Sequence, residues 1–288
     1  MKNISYIVSF LTVSFLLFSC QDVVDIELDS ASKRLVVEGA VQSHLDTQFV
    51  KLSYTSDFFE TTLPDYSALS NAEVELFEDN ISLGKMTFHT KKEQFEIFHR
   101  PEIGSEYYID ITLPTGELFR SEPEELRFAG QIDSIYSEVD ESNFILGDAV
   151  QVLLSTQEVE GTGDAYQWKV FINGEYQSTG EDLFFINDDL IEGNTLNRAP
   201  VYVFSSDEYD NRIEEDGRIE VVVWQAGITR NYYRYIAQLA DQSFTGGPFD
   251  TPPAEIRSNI YNTANDEERA LGYFYAADVD VADTLFLE

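Results

Sequence analysis

The stretch PEIGSEYYIDITLPTG, residues Pro101 to Gly116, decides the fold. Tyr107, Ile109 and Ile111 alternate with Tyr108, Asp110 and Thr112. A two-residue period puts alternate side chains on opposite faces, so this is a half-buried β-strand and not a helix. Gly104 precedes it and Pro114-Thr115-Gly116 follows, each a turn signal.

The same pattern recurs on both sides. Val50, Leu52 and Tyr54 alternate with Lys51, Ser53 and Thr55, and Val74 and Leu76 alternate with Glu73 and Glu75. With LVVEGAVQ, the pair around ISLGKMTFH and EQFEIFH, and ELFRSEPEEL, about seven short strands are expected. That is the count of an immunoglobulin-like sandwich. The opening stretch also resembles the end of a fibronectin-type or carboxypeptidase-regulatory-like module, in which a Gly-x-x-Tyr turn leads into a strand. The resemblance makes Tyr107 a corner tyrosine whose hydroxyl ties back to nearby backbone.

EPEELRFAG, Glu122 to Gly130, breaks the alternation and marks an expected domain boundary. The expected organisation is therefore an immunoglobulin-like sandwich over 34–127 and a second β-rich domain over 128–288. In the second region Asn173-Gly174, flanked by β-formers, suits a type I′ hairpin. Only GITRNYYRYIAQLADQSF has a helical period: Thr229 can cap it, and Tyr232, Tyr233, Ile236, Leu239 and Ala240 share a face. One α-helix near 229–243 follows, and the glycines and prolines from Gly246 to Pro253 end it.

Composition bounds what such a fold can do. The chain has 288 residues, 43% hydrophobic and 14% aromatic, far too apolar for a disordered acidic tail. Its 53 acidic and 18 basic residues give a net charge of -35. A field of that sign repels phosphate backbones, which excludes nucleic acid as a partner, and favours solubility, cations and basic partners. A single cysteine, Cys20, allows no intrachain disulfide and no cysteine-cluster zinc site.

Cys20 lies where an apolar segment ends. Lys2 supplies a positive n-region, Ile4 to Phe18 are too short for a comfortable membrane span, and the small Ser19 directly precedes the cysteine. Leu17-Phe18-Ser19-Cys20 resembles the lipobox of a bacterial lipoprotein. That likeness implies a signal peptide over 1–19, cleavage between Ser19 and Cys20, and acylation of Cys20 on both its sulfur and its new α-amine. Three acyl chains exceed what stable anchoring needs, so the mature chain would be tethered to a membrane without spanning it. Residues 20–33 form an acidic tether. Gln21, Asp22 and Asp25 resemble the leader that sends Bacteroidota lipoproteins across the outer membrane to the cell surface.

The order of strand VVVW, helix NYYRYIAQLADQ, GGPFDTPPAEIRSNI and ALGYFYAADV resembles the C-terminal half of the Bacteroidota lipoprotein family named domain of unknown function 4249. Cys20, the acidic stretch Gln21 to Asp29 and the strand Leu35 to Gly39 fit its N-terminal order. The resemblance covers nearly the whole chain, but its motifs are framework residues and bring no catalytic set. It implies a role in capture or uptake beside a TonB-dependent outer-membrane receptor.

Candidate chemistry is sparse. His89 and His99 fall in one expected hairpin, about 10–13 Å apart along the ladder if they share a face, too far to ligate one zinc ion; both read as surface residues, and His44 stands apart. No G-x-S-x-G, H-E-x-x-H, P-loop or G-x-G-x-x-G occurs. The densest acidic stretch, DEYDNRIEEDG, offers Asp207, Asp210, Asn211, Glu214, Glu215 and Asp216 as Ca²⁺ ligands but lacks EF-hand spacing, and reads first as a solvated loop. No other metal and no cofactor is expected. The functional expectation is a non-enzymatic, lipid-anchored outer-membrane protein, exposed at the cell surface and serving as an accessory binding component. The alternative is a structural or adhesive surface protein without a small-molecule ligand.

Overall fold

The computed structural model describes residues 33–56, 63–143, 147–157, 164–177, 183–187, 195–213, 217–243 and 255–287. The chain is mainly β, as the alternation requires. Its first part forms β1 (Leu35–Gln42), β2 (Thr47–Tyr54), β3 (Glu73–Glu78), β4 (Ile81–Lys85), β5 (Thr87–His89), β6 (Gln94–Phe98), β7 (Glu106–Thr112), β8 (Leu118–Ser121) and β9 (Glu124–Glu125). Then come β10 (Ile132–Asn143), β11 (Gly147–Gln157), β12 (Asp164–Ile172), β13 (Glu175–Tyr176), β14 (Phe184–Asn187) and β15 (Thr195–Ser205). The last part is α1 (Ser206–Arg212), β16 (Ile219–Thr229), α2 (Arg230–Ser243), β17 (Ile260–Asn262), β18 (Asn265–Arg269), β19 (Leu271–Val281) and β20 (Leu285–Leu287).

A ten-stranded sheet runs β13-β12-β16-β19-β1-β2-β6-β5, with β14 beside β12 and β20 beside β16. One half of it packs on a seven-stranded sheet, β18-β17-β8-β7-β3-β4 with β9 beside β7. Val37, Val50 and Leu52 from the long sheet share a core there with Leu76, Tyr107, Ile109 and Ile111. The other half packs on the three-stranded sheet β10-β11-β15, where Trp168, Val170 and Val221 meet Leu154, Val201 and Phe204. Each fully buried Val, Leu or Ile contributes about 1.5–3 kcal/mol. Gln225, 1% exposed, joins the layers: its amide donates to Ala129 O (2.6 Å) and Thr156 Oγ1 (3.0 Å) and its oxygen accepts from Trp168 Nε1 (2.9 Å).

The strands of 34–127 and of 128–288 are thus bonded into the same sheet. β1 pairs in parallel with β19, Val36 opposite Leu271 through Gln42 opposite Ala277. β17, from the far end of the sequence, pairs with β8, Ile260 opposite Ser121. Ile260 and Phe274 lie in the same core as Tyr107.

Several local expectations are met. Tyr107 is fully buried at the start of β7; its hydroxyl accepts from the Glu102 backbone N–H at 2.9 Å and donates to Glu78 Oε1. Asn173 and Gly174 have φ of 50° and 78°, the left-handed pair a type I′ turn needs between β12 and β13. Thr229 caps α2, its Oγ1 accepting from Tyr232 N at 3.2 Å. Three expectations need correction. Leu239 is not on the buried face of α2, which consists of Tyr232, Ile236 and Ala240; it is 37% exposed. The first part of the acidic stretch is not a loop: Ser205 Oγ accepts from Glu208 N and starts α1. His99 is not on the surface but half-buried, 3.5 Å from Glu78 Oε1 and 5.8 Å from the Tyr107 ring centroid.

Candidate functional site

β16 passes into α2 without a loop, because Thr229 ends the strand and caps the helix. The helix therefore folds straight back over the long sheet, on the face opposite the other two sheets. Tyr232 stacks on Tyr275 at 4.2 Å and 7°, and Tyr235 lies 4.7 Å from Tyr273. Under the helix start, Glu124 is 1% exposed. It accepts from Tyr273 Oη at 2.6 Å and from Thr229 Oγ1. Burial pushes its carboxyl up to about 7 and nearby Glu122 adds to the rise, while the hydrogen bonds from Thr229 and Tyr273 oppose it.

Beside this knot opens a cleft of about 400 Å³. One wall is a second face of α2: Asn231, Arg234, Tyr235 and Gln238 follow the i, i+3, i+4, i+7 spacing of a single helical stripe. The other wall is Arg257, Ser258 and Asn259 with Glu122, and Tyr273 contributes from β19. That wall is fixed in place. Asn259 exchanges two hydrogen bonds with the Phe274 backbone, at 2.7 and 3.1 Å, and Arg269 holds Glu122 at 3.0 Å and the Ser258 carbonyl at 2.8 Å. Arg257 has no hydrogen bond or ion pair among the described residues, and Arg234 reaches only Asn231 Oδ1 at 3.3 Å. The cleft thus combines two uncommitted guanidiniums, an amide and an aromatic face.

A larger opening, about 780 Å³, shares Arg257 and Ser258 with this cleft. Its lining is net acidic, and its Arg34 is tied to Glu255 at 2.6 Å. The smaller cleft is the better ligand site, because its cations are free.

The family model described as Domain of unknown function (DUF4249) matches residues 21–282. The chain belongs to the DUF4249 family. Every residue lining the cleft lies inside the region that defines DUF4249. No curated protein matches the chain.

The residues that sequence alone singled out are elsewhere in this DUF4249 protein. Ser19, Cys20, Gln21, Asp22 and Asp25 lie outside the described residues, as do Glu214, Glu215 and Asp216. Asp207, Asp210 and Asn211 sit on exposed positions of α1. Among the described residues no group of three or more potential metal ligands forms, and no helix is long and apolar enough to cross a membrane. His89 is exposed. His44 packs edge-on against Trp224 at 4.5 Å, both ring nitrogens without a partner, and its pKa is lowered by burial and by nearby Lys169, against the pull of Asp278. Lys169 is held by Tyr275 Oη at 2.9 Å between the rings of Tyr176 and Tyr275. Burial works against its charge, but Tyr275 and Tyr176 together outweigh it and its pKa is raised.

Sequence reading missed Arg234, Arg257, Tyr235 and Glu124. One signal was present. The polar stripe of α2 is as regular as its apolar one, and it carries an arginine in a chain where basic residues are few.

Proposed function

We propose that this protein is a lipid-anchored binding protein of a Bacteroidota cell envelope, held at the outer membrane through Cys20 and working beside a TonB-dependent receptor. The anchor is supported by Leu17-Phe18-Ser19-Cys20 at the end of an apolar segment, and surface display by Gln21, Asp22 and Asp25 behind it. The observation that carries the binding role is the cleft between α2 and Arg257 to Asn259. Its free groups are donors and an aromatic face, which hold a ligand and orient it but supply no activated nucleophile. Binding without chemical turnover is the role that fits them.

Extraction of intact membranes with mild detergent, followed by affinity recovery of the chain, tests this. A co-purifying β-barrel receptor is the expected result, and repeated recovery of the chain alone would refute partnership. The anchor has its own measurement: Cys20→Ala is expected to move the chain from the membrane pellet to the soluble fraction with its melting temperature unchanged. Persistent membrane association of that variant would remove Cys20 as the attachment point.

A further inference from the structure

In a chain with 53 acidic and 18 basic residues, an arginine normally finds a carboxylate. Arg34 meets Glu255 at 2.6 Å, Arg120 meets Asp110 at 2.6 Å and Arg269 meets Glu122 at 3.0 Å. Arg234 and Arg257 have no carboxylate within ion-pair distance among the described residues, and they line the same cleft. Exposed arginines lose little by lacking a partner, so being unpaired is not strain. What distinguishes these two is that they converge on one concave, ligand-sized space of about 400 Å³. The acidic Glu122 on the same wall is already neutralised by Arg269, so the free charge facing the cleft is positive.

A guanidinium presents a planar fork of donors that matches the two oxygens of a carboxylate or the oxygens of a phosphate. Two forks in one cleft select a ligand bearing such a group, and the protein's overall negative field makes this local inversion of sign the more selective. The remaining polar groups without a partner among the described residues, the Gln238 amide and the Tyr235 hydroxyl, suit hydroxyls, and the half-buried Tyr235 ring adds apolar surface for a compact ring.

We propose that the cleft binds a small hydroxylated oxyanion, a sugar acid or sugar phosphate, with Arg234 and Arg257 on its acidic group and Tyr235 and Gln238 on its ring. This deepens the binding role proposed above and rests on it, but it can fail alone: a chain that still brings down a receptor barrel while binding no oxyanion would overturn only the ligand class. The direct test is calorimetric titration of the mature, acylated chain in detergent micelles with glucuronate, glucose 6-phosphate and glucose, which share one ring and differ in their acidic group. At least one of the two anions is expected to bind tenfold or more tightly than glucose, and which of them does so distinguishes carboxylate from phosphate recognition. Arg234→Gln and Arg257→Gln should each weaken that anion at least tenfold, Arg→Lys at either position should restore part of the loss, and melting temperatures should match the parent because both side chains are exposed. Equal affinity for all three sugars, no binding of either anion, or unchanged affinity in the doubly substituted chain would overturn the proposal.

Discussion

Glu124 shows what a single residue does in this structure. Its carboxyl joins the break after β8, the cap of α2 and Tyr273 of β19, a contact spanning 149 residues. The folded state keeps its proton up to about pH 7, whereas the unfolded chain releases it near 4.5. Between those values the folded state binds more protons, so this contribution to stability is complete below pH 4.5, falls as pH rises through 7, and stays lost above it. At 1.36 kcal/mol per unit the whole change is about 3 kcal/mol. Glu124→Gln keeps the shape without the charge, and its melting temperature is expected to exceed the parent's by several degrees at pH 8 and to match it at pH 4. Parallel pH profiles for the two chains would contradict this. Residues of this kind differ in how readable they are. Tyr107 announces itself through Gly104 and the alternation that follows, because its partner, Glu102, is five residues away. Glu124 looked like one acid among 53, since burial and a partner 149 residues distant appear only in the folded chain.

Elements were legible where local chemistry and packing agree. The period of α2 and its Thr229 cap are both local, and the helix begins where they place it. Thr229 also donates to Glu124, so Thr229→Ala removes a cap and an oxygen from the knot beneath it, and a loss of about 1–2 kcal/mol is expected in denaturant unfolding. A loss below about 0.3 kcal/mol would show that neither bond matters. α1 was readable too and was passed over: Ser205 with Glu208 three residues on forms half of a capping box, Asp207 and Glu208 sit in the positive first turn, and Arg212 in the last. The density of acid obscured that order. The join between β1 and β19 gave no such sign. Gly272 has φ of +83°, and a Cβ there would lie 2.0 Å from the Val37 carbonyl oxygen, so no other residue fits without moving a backbone. Gly272→Ala is expected to cost about 3 kcal/mol or more, from left-handed strain plus the clash, measured as a fall in the denaturation midpoint. A midpoint within experimental error of the parent's would mean that β1 and β19 can separate without penalty.

At the scale of the molecule, two sandwiches share one sheet. The alternation in 34–127 correctly implied a β-sandwich, but a two-residue period specifies only which face is buried, not which strand lies alongside. The partner of β1 arrives more than 220 residues later, and nothing in LVVEGAVQ distinguishes pairing with β19 from pairing with a neighbour. The consequence is that 34–127 does not own its core. Ile260, Ala270, Phe274 and Ala276 complete the cluster containing Val37, Leu76 and Tyr107, and β8 is bonded to β17 at its edge. A fragment ending at residue 127 would keep β1 to β9 but leave seven register positions of β1 unpaired and expose that apolar cluster to water. An open edge beside an incomplete core favours aggregation over folding. The fragment 21–127 is therefore expected to show no sharp thermal transition and weak near-ultraviolet circular dichroism from its tyrosines, while a chain running from 21 to 288 is expected to show a sharp transition and a strong signal. A fragment that melted cooperatively would mean that β3, β4, β7, β8 and β9 with β1, β2, β5 and β6 are sufficient by themselves. The strands from the end of the chain would then serve mainly to set the wall from Arg257 to Asn259 against α2. On the expected outcome, the same strands do both: they close the core and, by closing it, fix the wall of the cleft that faces Arg234.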